Sequence, residues 1–250
     1  MFENDSNYLD QHFLINEKVV NSFIKLCNLN KDDMVVEIGP GIGVLTKIIA
    51  PKVKSLTVIE KDTRLKEYLE IIPNIKIIYN SVLDIPIPKC DKIITSLPYS
   101  IIEPFIYKLI NTDFNELYMI MGSTYVNNTI NKEITNLSLL TNTHFNIEKL
   151  FDIEPNSFNP PPKTLSCAVK ITKKSEYSKL DLILKNMYAL NDKKIKNDLM
   201  ESLIIVQNLT KKESKIVINN LNIEEDILNK KFSIISNEEL EKLYNKLKSI

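Results

Sequence analysis

The chain has 250 residues, of which 44% are hydrophobic, and this length allows one sizeable α/β domain with a small second domain. Its 32 basic and 32 acidic residues leave a formal net charge of zero, so any binding of nucleic acid requires a local basic surface. No apolar stretch approaches the roughly 18 residues of a membrane helix and no signal-peptide pattern opens the chain, so we expect a cytoplasmic protein without a membrane partner.

The apolar residues in the first half of the chain predict helices that alternate with buried strands. Residues 17–29 have helical spacing, and residues 34–39 form a short apolar run that ends in glycine. The pattern continues with helices at 45–53, 63–72 and 103–110 and with strands at 55–60, 75–80 and 91–99. Strands that alternate with helices predict a doubly wound parallel sheet.

The second half of the chain changes in pattern near residue 174. Before this point we predict strands at 116–121, 146–155 and 167–173 and a helix at 131–142. After it, Lys, Asn, Leu and Ile dominate with helical spacing and without strand-like runs. We therefore predict an α/β domain at 1–174 and a small helical domain at 175–250.

The cysteines and histidines do not have the spacing of a metal site. Cys27, Cys90 and Cys167 lie far apart, and the chain has two histidines, His12 and His144. Zinc ligands and disulfide frameworks both need a more regular arrangement of these residues. We expect buried apolar thiols and no bound metal.

A glycine-rich segment marks a candidate cofactor site. Three of the four glycines, Gly39, Gly41 and Gly43, fall within the sequence EIGPGIGVLT, between a predicted strand and a predicted helix. Glycines at this position allow positive φ angles and a close approach of the backbone to a ligand. The segment therefore predicts a site for a cofactor of the nucleotide type.

An acidic residue at the end of the next strand supports this prediction. Glu60 ends the strand SLTVIE, where a carboxylate can accept hydrogen bonds from both hydroxyls of a ribose. The alternative is a solvated glutamate at a strand end. The glycines alone do not identify the cofactor, since such loops also occur in dinucleotide enzymes, but the missing G-K-[ST] excludes a phosphate-binding P-loop.

Five motifs together resemble a known family. They are Gln11-His12-Phe13-Leu14, Glu37 to Thr46, Val58-Ile59-Glu60, Leu97-Pro98-Tyr99, and Phe158-Asn159-Pro160-Pro161-Pro162-Lys163. In this order they resemble the ribosomal RNA adenine N6,N6-dimethyltransferases, and the resemblance extends over about residues 8–200. It implies a seven-stranded, mostly parallel Rossmann-like methyltransferase sheet and a small helical domain that contacts RNA.

The resemblance implies that the cofactor is S-adenosyl-L-methionine. His12 and Leu14 would border its pocket, and Glu60 would hold the ribose hydroxyls. The loop with Gly39, Gly41 and Gly43 would approach the methionine and ribose portions. For His12 the alternative is a histidine that is merely packed near an apolar run.

The resemblance also implies how the target adenine is held. Ser96, Leu97, Pro98 and Tyr99 match the motif in which a polar side chain and the next backbone carbonyl accept from the adenine amine. Tyr99 would stack on one face of the flipped base and Phe158 on the other, at roughly 1–3 kcal/mol for each contact. Both aromatic residues have a simpler alternative, which is a place in the hydrophobic core.

Three departures from the family pattern surround this site. Ser96 replaces the usual asparagine, and it keeps one acceptor oxygen but loses the rigid amide geometry. Asn80-Ser81 replaces a Gly-Asp pair, so Ser81 should bind the cofactor's adenine amine more weakly, and Asp84 is the residue that could compensate. A shorter segment of residues 122–125 replaces a Gln-Lys-Glu segment and its loop.

A basic segment resembles the RNA-facing helix of the family. It contains Lys193, Lys194 and Lys196, and Lys163 is a further candidate for contact with RNA. Lysines add affinity and salt dependence rather than sequence recognition. The alternative is a solvated charged helix face.

The leading hypothesis is therefore an S-adenosyl-L-methionine-dependent enzyme that dimethylates N6 of adenines in a small-subunit ribosomal RNA precursor. One alternative enzyme is a 23S rRNA adenine N6-methyltransferase, and another is a small-molecule methyltransferase. A different class is an rRNA-binding assembly factor or transcription-factor-like relative with little catalysis. The family is typically monomeric, so the resemblance implies a monomer.

Overall fold

A computed structural model describes residues 12–190 and 192–250 of the chain. Within these residues the chain divides into two compact units. The first unit contains residues 12–127 and Ile147–Lys173, and the second contains Asn128–Asn146 and Lys174–Ile250. Gln11, which belongs to the first family motif, lies outside the described residues.

The centre of the first unit is a seven-stranded sheet. The strands of the described chain are β1 (Phe13–Leu14), β2 (Met34–Ile38), β3 (Ser55–Glu60), β4 (Ile75–Tyr79), β5 (Lys92–Ser96), β6 (Glu116–Gly122), β7 (Phe145–Ile153), β8 (Phe158–Asn159) and β9 (Ser166–Lys173). The order in the sheet is β4-β3-β2-β5-β6-β9-β7. The pairs from β4 to β6 are parallel, and β9 runs antiparallel to β6. The doubly wound, mostly parallel seven-stranded sheet is confirmed.

Helices lie between the strands and in the second unit. They are α1 (Glu17–Leu26), α2 (Thr46–Ile49), α3 (Lys66–Leu69), α4 (Ile102–Ile110), α5 (Ser123–Ile130), α6 (Asn136–His144), α7 (Lys179–Ala189), α8 (Ile195–Gln207), α9 (Lys211–Asn220), α10 (Glu225–Asn229) and α11 (Asn237–Leu247). In the second unit, α7, α9 and α11 each begin with a capping box, formed by Ser178, Thr210 and Ser236. These caps satisfy backbone N–H groups that would otherwise lack partners at the helix starts.

The strand order places a crevice between β2 and β5. The chain runs outward from β2 to β4 and then returns to β5 on the other side of β2. The helices that follow β2 and β5 therefore leave in opposite directions, and ligands of open α/β sheets bind at such a point, outside the carboxyl ends of the strands. The register pairs Ile38 with Thr95, so Gly39 and Ser96 extend from neighbouring strand ends.

The opposite edge of the sheet contains a buried cluster of charge. Lys92, the first residue of β5, is 7% exposed, and its ammonium lies 2.9 Å from the Asp33 carboxylate. It also donates to the carbonyl of Asn28. A buried ammonium is stable only when it is paired and hydrogen-bonded, and both conditions are met here.

Several element boundaries differ from the sequence prediction. The strand predicted to reach residue 99 ends at Ser96, because Pro98 has no N–H for the ladder and Tyr99 begins a short 3-10 turn. The helix predicted at 131–142 begins only after Thr135, whose side chain caps it. Residues 123–130 form α5, a helix that was not predicted from the sequence.

The predictions about the cysteines and about membrane helices can be compared with the structure. Cys27, Cys90 and Cys167 are buried and free, as expected. Burial raises the pKa of the Cys27 and Cys90 thiols to about 12. Within the described parts of the chain, no helix has the length and apolar character needed to cross a bilayer.

Candidate active site

A cavity of about 380 Å³ lies at the carboxyl ends of the first strands of the sheet. Its walls come from the first unit alone. Of the residues predicted to bind cofactor or base, those that line the cavity are His12, Leu14, Gly39, Gly41, Glu60, Ser81, Ser96, Leu97, Pro98, Tyr99 and Phe158. The fold thus brings motifs from distant parts of the sequence to one site.

Two glycines of the loop lie against the cavity with little space around them. Gly39 has a φ of +66° and Gly41 a φ of +57°, a backbone region that L side chains rarely adopt. A Cβ at Gly39 would lie 3.3 Å from Leu97, and one at Gly41 would lie 3.1 Å from the Phe13 ring. The loop therefore needs glycine for its conformation, and it exposes backbone to the cavity.

Gly43 has a different place from the other two glycines. It is not among the residues that line the cavity, and its contact with the cofactor stays a prediction. Its φ is +80°, and a Cβ there would lie only 2.7 Å from Cδ1 of Ile72. Gly43 thus allows the turn to pack closely against the end of α3 and the segment that follows it.

Glu60 is held in a fixed orientation at the end of β3. One carboxylate oxygen accepts from the backbone N–H of Asp62 at 2.8 Å and the other from that of Gly41 at 3.3 Å. Burial raises the pKa of this carboxyl, while the two backbone hydrogen bonds oppose the rise. Each oxygen retains lone-pair capacity for a further donor, as two hydroxyls of a ribose would require.

Glu37 is a feature of the site that the sequence analysis did not single out. Its side chain is 1% exposed and lines the cavity, and within the described structure neither carboxyl oxygen has a hydrogen-bond partner. Burial raises its pKa to about 8; the nearby hydroxyl of Thr46 opposes the rise and the charge of Glu60 adds to it. The only sequence signal was an acidic residue inside an otherwise apolar strand.

The target-base motif continues from the end of β5. Ser96 is partly buried and adjacent to the glycine loop, since its carbonyl oxygen would lie 3.9 Å from a Cβ on Gly39. Leu97 is buried, and Pro98 directs the chain into the turn that begins with Tyr99. The hydroxyl of Tyr99 lies 2.7 Å from that of Ser166. A polar oxygen and an aromatic ring thus face the same cavity.

A two-stranded sheet joins the first and last motifs. In it β1 pairs with β8, with Leu14 opposite Phe158. Both side chains are buried, and both also line the cavity. Nδ1 of His12 lies 2.8 Å from the carbonyl oxygen of Pro160, so this nitrogen carries the proton that is donated. The pairing explains how Leu14 and Phe158, which are far apart in sequence, border one site.

Ser81 lies in a turn at the cavity wall. Its hydroxyl accepts from the N–H of Leu83 at 3.2 Å, and its own N–H donates to the Asn80 side chain at 2.8 Å. Asp84 is not among the residues that line the cavity.

The lysines predicted to contact RNA are exposed. Lys193 lies 2.8 Å from both carboxylate oxygens of Glu201, and Lys196 lies 3.7 Å from Glu225. Lys194 donates to the side chain of Asn229. Exposed ion pairs of this kind contribute little stability, so phosphate groups could compete for these lysines.

The residues of the cavity fit a nucleoside attached to an amino acid. The glycine backbone leaves space for the ligand. The fixed Glu60 carboxylate offers acceptors for a ribose, and the unpaired Glu37 carboxyl offers acceptors for an ammonium group. Apolar residues complete the walls, as is usual for small-molecule sites. Over the described residues, no cluster of side chains suited to a metal ion was found.

Comparison with known proteins agrees with this geometry. The profile of the ribosomal RNA adenine dimethylase family matches residues 2–239. The chain belongs to this family. Among the relatives of this chain, the probable ribosomal RNA small subunit methyltransferase A of Methanococcus aeolicus is 31% identical, over 97% of this chain and 96% of the relative. The ribosomal RNA small subunit methyltransferase A of Malacoplasma penetrans is 32% identical, over 78% and 77%.

Solved structures show the same fold as this dimethylase-family chain. A dimethyladenosine transferase from Plasmodium falciparum superposes with a TM-score of 0.64 at 21% identity, covering 95% of this chain and 98% of that one. The 23S rRNA methyltransferase ErmE superposes with a TM-score of 0.60 at 19% identity, covering 94% and 99%. At these identities the likeness concerns the fold.

Proposed function

We propose that this protein transfers methyl groups from S-adenosyl-L-methionine to N6 of adenines in small-subunit ribosomal RNA, and that it adds two to each adenine. The observation that carries the proposal is the single cavity that combines the glycine loop, Glu60 and the Ser96-Leu97-Pro98-Tyr99 motif. The names of the curated relatives support the small subunit as the source of the substrate.

The cofactor would be held by the residues at the ends of β2, β3 and β4. Glu60 would accept from the ribose hydroxyls, and Gly39 and Gly41 would let the backbone approach. Glu37 offers an acceptor for an ammonium group, and Ser81, which lines the cavity, would contact the adenine amine. When bound, the cofactor supplies a methyl group on a positively charged sulfur, which makes that carbon electrophilic.

The acceptor base would be held at the end of β5. The lone pair of an adenine amine is delocalised into the ring, so the nitrogen must be oriented toward the methyl carbon. The Ser96 hydroxyl and the Leu97 carbonyl would accept from the two N–H bonds, which aligns the lone pair. Tyr99 and Phe158 would stack on the base after it leaves its helix.

These residues act by positioning and by excluding water rather than by strong base catalysis. With the methyl group supplied by the bound cofactor, the acceptor nitrogen would become cationic on methylation and would lose its proton to solvent without a strong base, so these residues need only hold the amine. The first transfer leaves one N–H, so the second needs a single acceptor, which the Ser96 hydroxyl can supply. Positioning in a dry site accounts for the acceleration.

The exposed lysines would provide the contact with RNA. The phosphates of a small-subunit precursor would bind the exposed ammonium groups of Lys163, Lys193, Lys194 and Lys196. We further propose that the protein acts as a monomer in the cytoplasm, with a methyltransferase domain at 1–174 and an RNA-contacting helical domain at 175–250. Light scattering of the purified protein tests the oligomeric state.

The proposal is tested by methyl transfer to unmethylated small ribosomal subunits. Label from S-adenosyl-L-methionine should enter the RNA with the native protein, and Tyr99→Ala should abolish it because the stacking surface is lost. Parallel calorimetry with S-adenosyl-L-methionine should show binding by both proteins. Binding without transfer by the native chain would contradict the proposal and would favour a non-catalytic assembly factor.

A further inference from the structure

Tyr99 is anchored at its far end by a residue from a distant strand. Its hydroxyl lies 2.7 Å from Oγ of Ser166, and the two residues are 67 positions apart in sequence. Ser166 is the first residue of β9 and has no exposed surface. It lies opposite Gly122 in the antiparallel ladder, so the backbone of the sheet holds it in place.

The other neighbours of the Tyr99 ring hold it less firmly. The side chain is only partly buried, and one part of it faces the cavity. The His12 ring is 6.1 Å away between centroids and tilted by 39°, so the two rings are not stacked. Gly122 has no side chain to pack against the ring. A Cβ on this residue would lie 3.8 Å from Cε1 of Tyr99, so the glycine leaves space beside the tyrosine.

A hydrogen bond at the phenol oxygen restrains such a ring efficiently. The oxygen is the side-chain atom farthest from the backbone and lies on the axis of χ2, so fixing it restrains χ1 and with it the direction in which the ring points. Stacking depends on the overlap of two parallel faces, and a ring that swings loses part of that overlap. Residues that contact a substrate are most effective when their own side chains are held by a second layer of contacts.

We propose that Ser166 is a positioning residue, which fixes the Tyr99 ring in the orientation that stacks on the acceptor base. Ser166 does not touch the base and acts only through Tyr99. The proposal rests on the proposed function, since it assigns a role to Ser166 in that same site. It goes beyond the family motifs, because Ser166 belongs to none of those that identify the site.

The kinetic test is a double-mutant cycle with Ser166→Ala and Tyr99→Phe. Each single variant keeps the aromatic ring and removes one side of the hydrogen bond, so each should lower kcat of methyl transfer about 3- to 10-fold. The affinity for S-adenosyl-L-methionine should not change. The double variant should be no slower than either single variant, because the same interaction is lost. If the two decreases in kcat multiplied in the double variant, the proposal would be overturned. A Ser166→Ala enzyme with native kcat would also overturn it.

A control variant separates positioning from stability. Ser214→Ala removes an equally buried hydroxyl in the second unit, where it donates to the carbonyl of Thr210 at 3.0 Å. This variant should lose about as much stability as Ser166→Ala and keep the native kcat. A comparable fall in kcat with Ser214→Ala would attribute the Ser166 effect to general destabilisation and overturn the proposal.

A second measurement does not depend on activity. Three-bond Hα–Hβ couplings of Tyr99, measured by NMR with labelled tyrosine, report whether the side chain has one χ1 rotamer. The native protein should show one rotamer and Ser166→Ala an average of several. Identical couplings in both would overturn the proposal even if no RNA were methylated, whereas an inactive native protein with restrained Tyr99 would contradict the proposed function alone.

Discussion

The backbone N–H of Gly41 donates to a carboxylate oxygen of Glu60 over 3.3 Å, and this hydrogen bond joins the glycine loop to the end of the neighbouring strand. The contact connects the two sequence features from which a nucleotide-type site was predicted. It also presets the Glu60 carboxylate before any ligand binds, which reduces the entropy lost on binding.

Glu60→Gln should weaken the binding of S-adenosyl-L-methionine about 10-fold. The amide has one acceptor oxygen instead of two, and hydrogen bonds to a charged acceptor are worth roughly 1.5–3 kcal/mol. Isothermal titration calorimetry measures the change. Glu70→Gln is the matched control, because Glu70 is exposed and forms an ion pair with the exposed Lys66. Unchanged affinity in Glu60→Gln would refute the assignment of the ribose to this carboxylate.

Gly43→Ala should lower the free energy of unfolding by about 1–3 kcal/mol, because it forces a positive φ on alanine and places Cβ 2.7 Å from Ile72. Gly122→Ala is the comparison, since its Cβ would make an ordinary contact at 3.8 Å. Its stability should stay within about 0.5 kcal/mol of the native protein. Urea denaturation of both variants provides the measurement, and equal stabilities would show that Gly43 is not needed for packing.

The buried carboxyl of Glu37 should make stability depend on pH. Its pKa is raised from 4.5 to about 8 in the folded state, so the folded protein holds a proton that the unfolded chain releases. The contribution of this group to the free energy of unfolding is therefore greatest below pH 4.5 and is lost as the pH rises toward 8. Glu37→Gln should flatten this part of the profile and stabilise the protein at pH 8.5 by about 2–4 kcal/mol. A profile with the native slope would contradict the raised pKa.

A similar effect is expected from Asp198 in the second unit. This carboxyl on α8 has no exposed surface and, within the described chain, no hydrogen-bond partner. Burial, with the charge of Glu201, raises its pKa from 3.8 to about 6. Asp198→Asn should thus be neutral near pH 3.5 and stabilising by about 1–2 kcal/mol at pH 7.5. Thermal melts across this range test the prediction, and destabilisation at pH 7.5 would indicate a functional ionised carboxylate.

Substitutions of the two partners in the Lys193–Glu201 ion pair should have opposite effects on RNA binding. Lys193→Gln should weaken binding to the substrate RNA and reduce the slope of log K against log salt by about 1. Glu201→Gln frees the lysine and should strengthen binding. Filter binding at several salt concentrations distinguishes the two. If Lys193→Gln had native affinity and slope, the lysine would be a solvated surface residue before α8 without contact to RNA.

The sequence predicted the fold because its main signals are local. The apolar strand that ends at Gly39 and the strand that ends at Glu60 can be recognised from neighbouring residues, and their alternation with helices implies the parallel sheet. The same reasoning located the cofactor loop, since clustered glycines after a strand have few other uses. It did not predict the close packing of Gly43 against Ile72, which depends on the tertiary structure.

Other parts of the site depend on contacts between distant residues. The pairing of Leu14 with Phe158 and the hydrogen bond between Tyr99 and Ser166 have no periodic signal in the sequence. The same is true of Glu37, whose unpaired state follows from complete burial in the sheet. Sequence patterns therefore identify which residues form the site, and the packing determines how each one is held.

The most direct test of the central claim is nucleoside analysis of small-subunit RNA after incubation with the native protein and S-adenosyl-L-methionine. Mass spectrometry of the digested RNA distinguishes adenosine from its N6-methylated and N6,N6-dimethylated forms. We expect N6,N6-dimethyladenosine with the native chain and none with Tyr99→Ala. Unmodified adenosine, despite measurable cofactor binding, would contradict the claim that Ser96 and its neighbours form a working methyltransferase site.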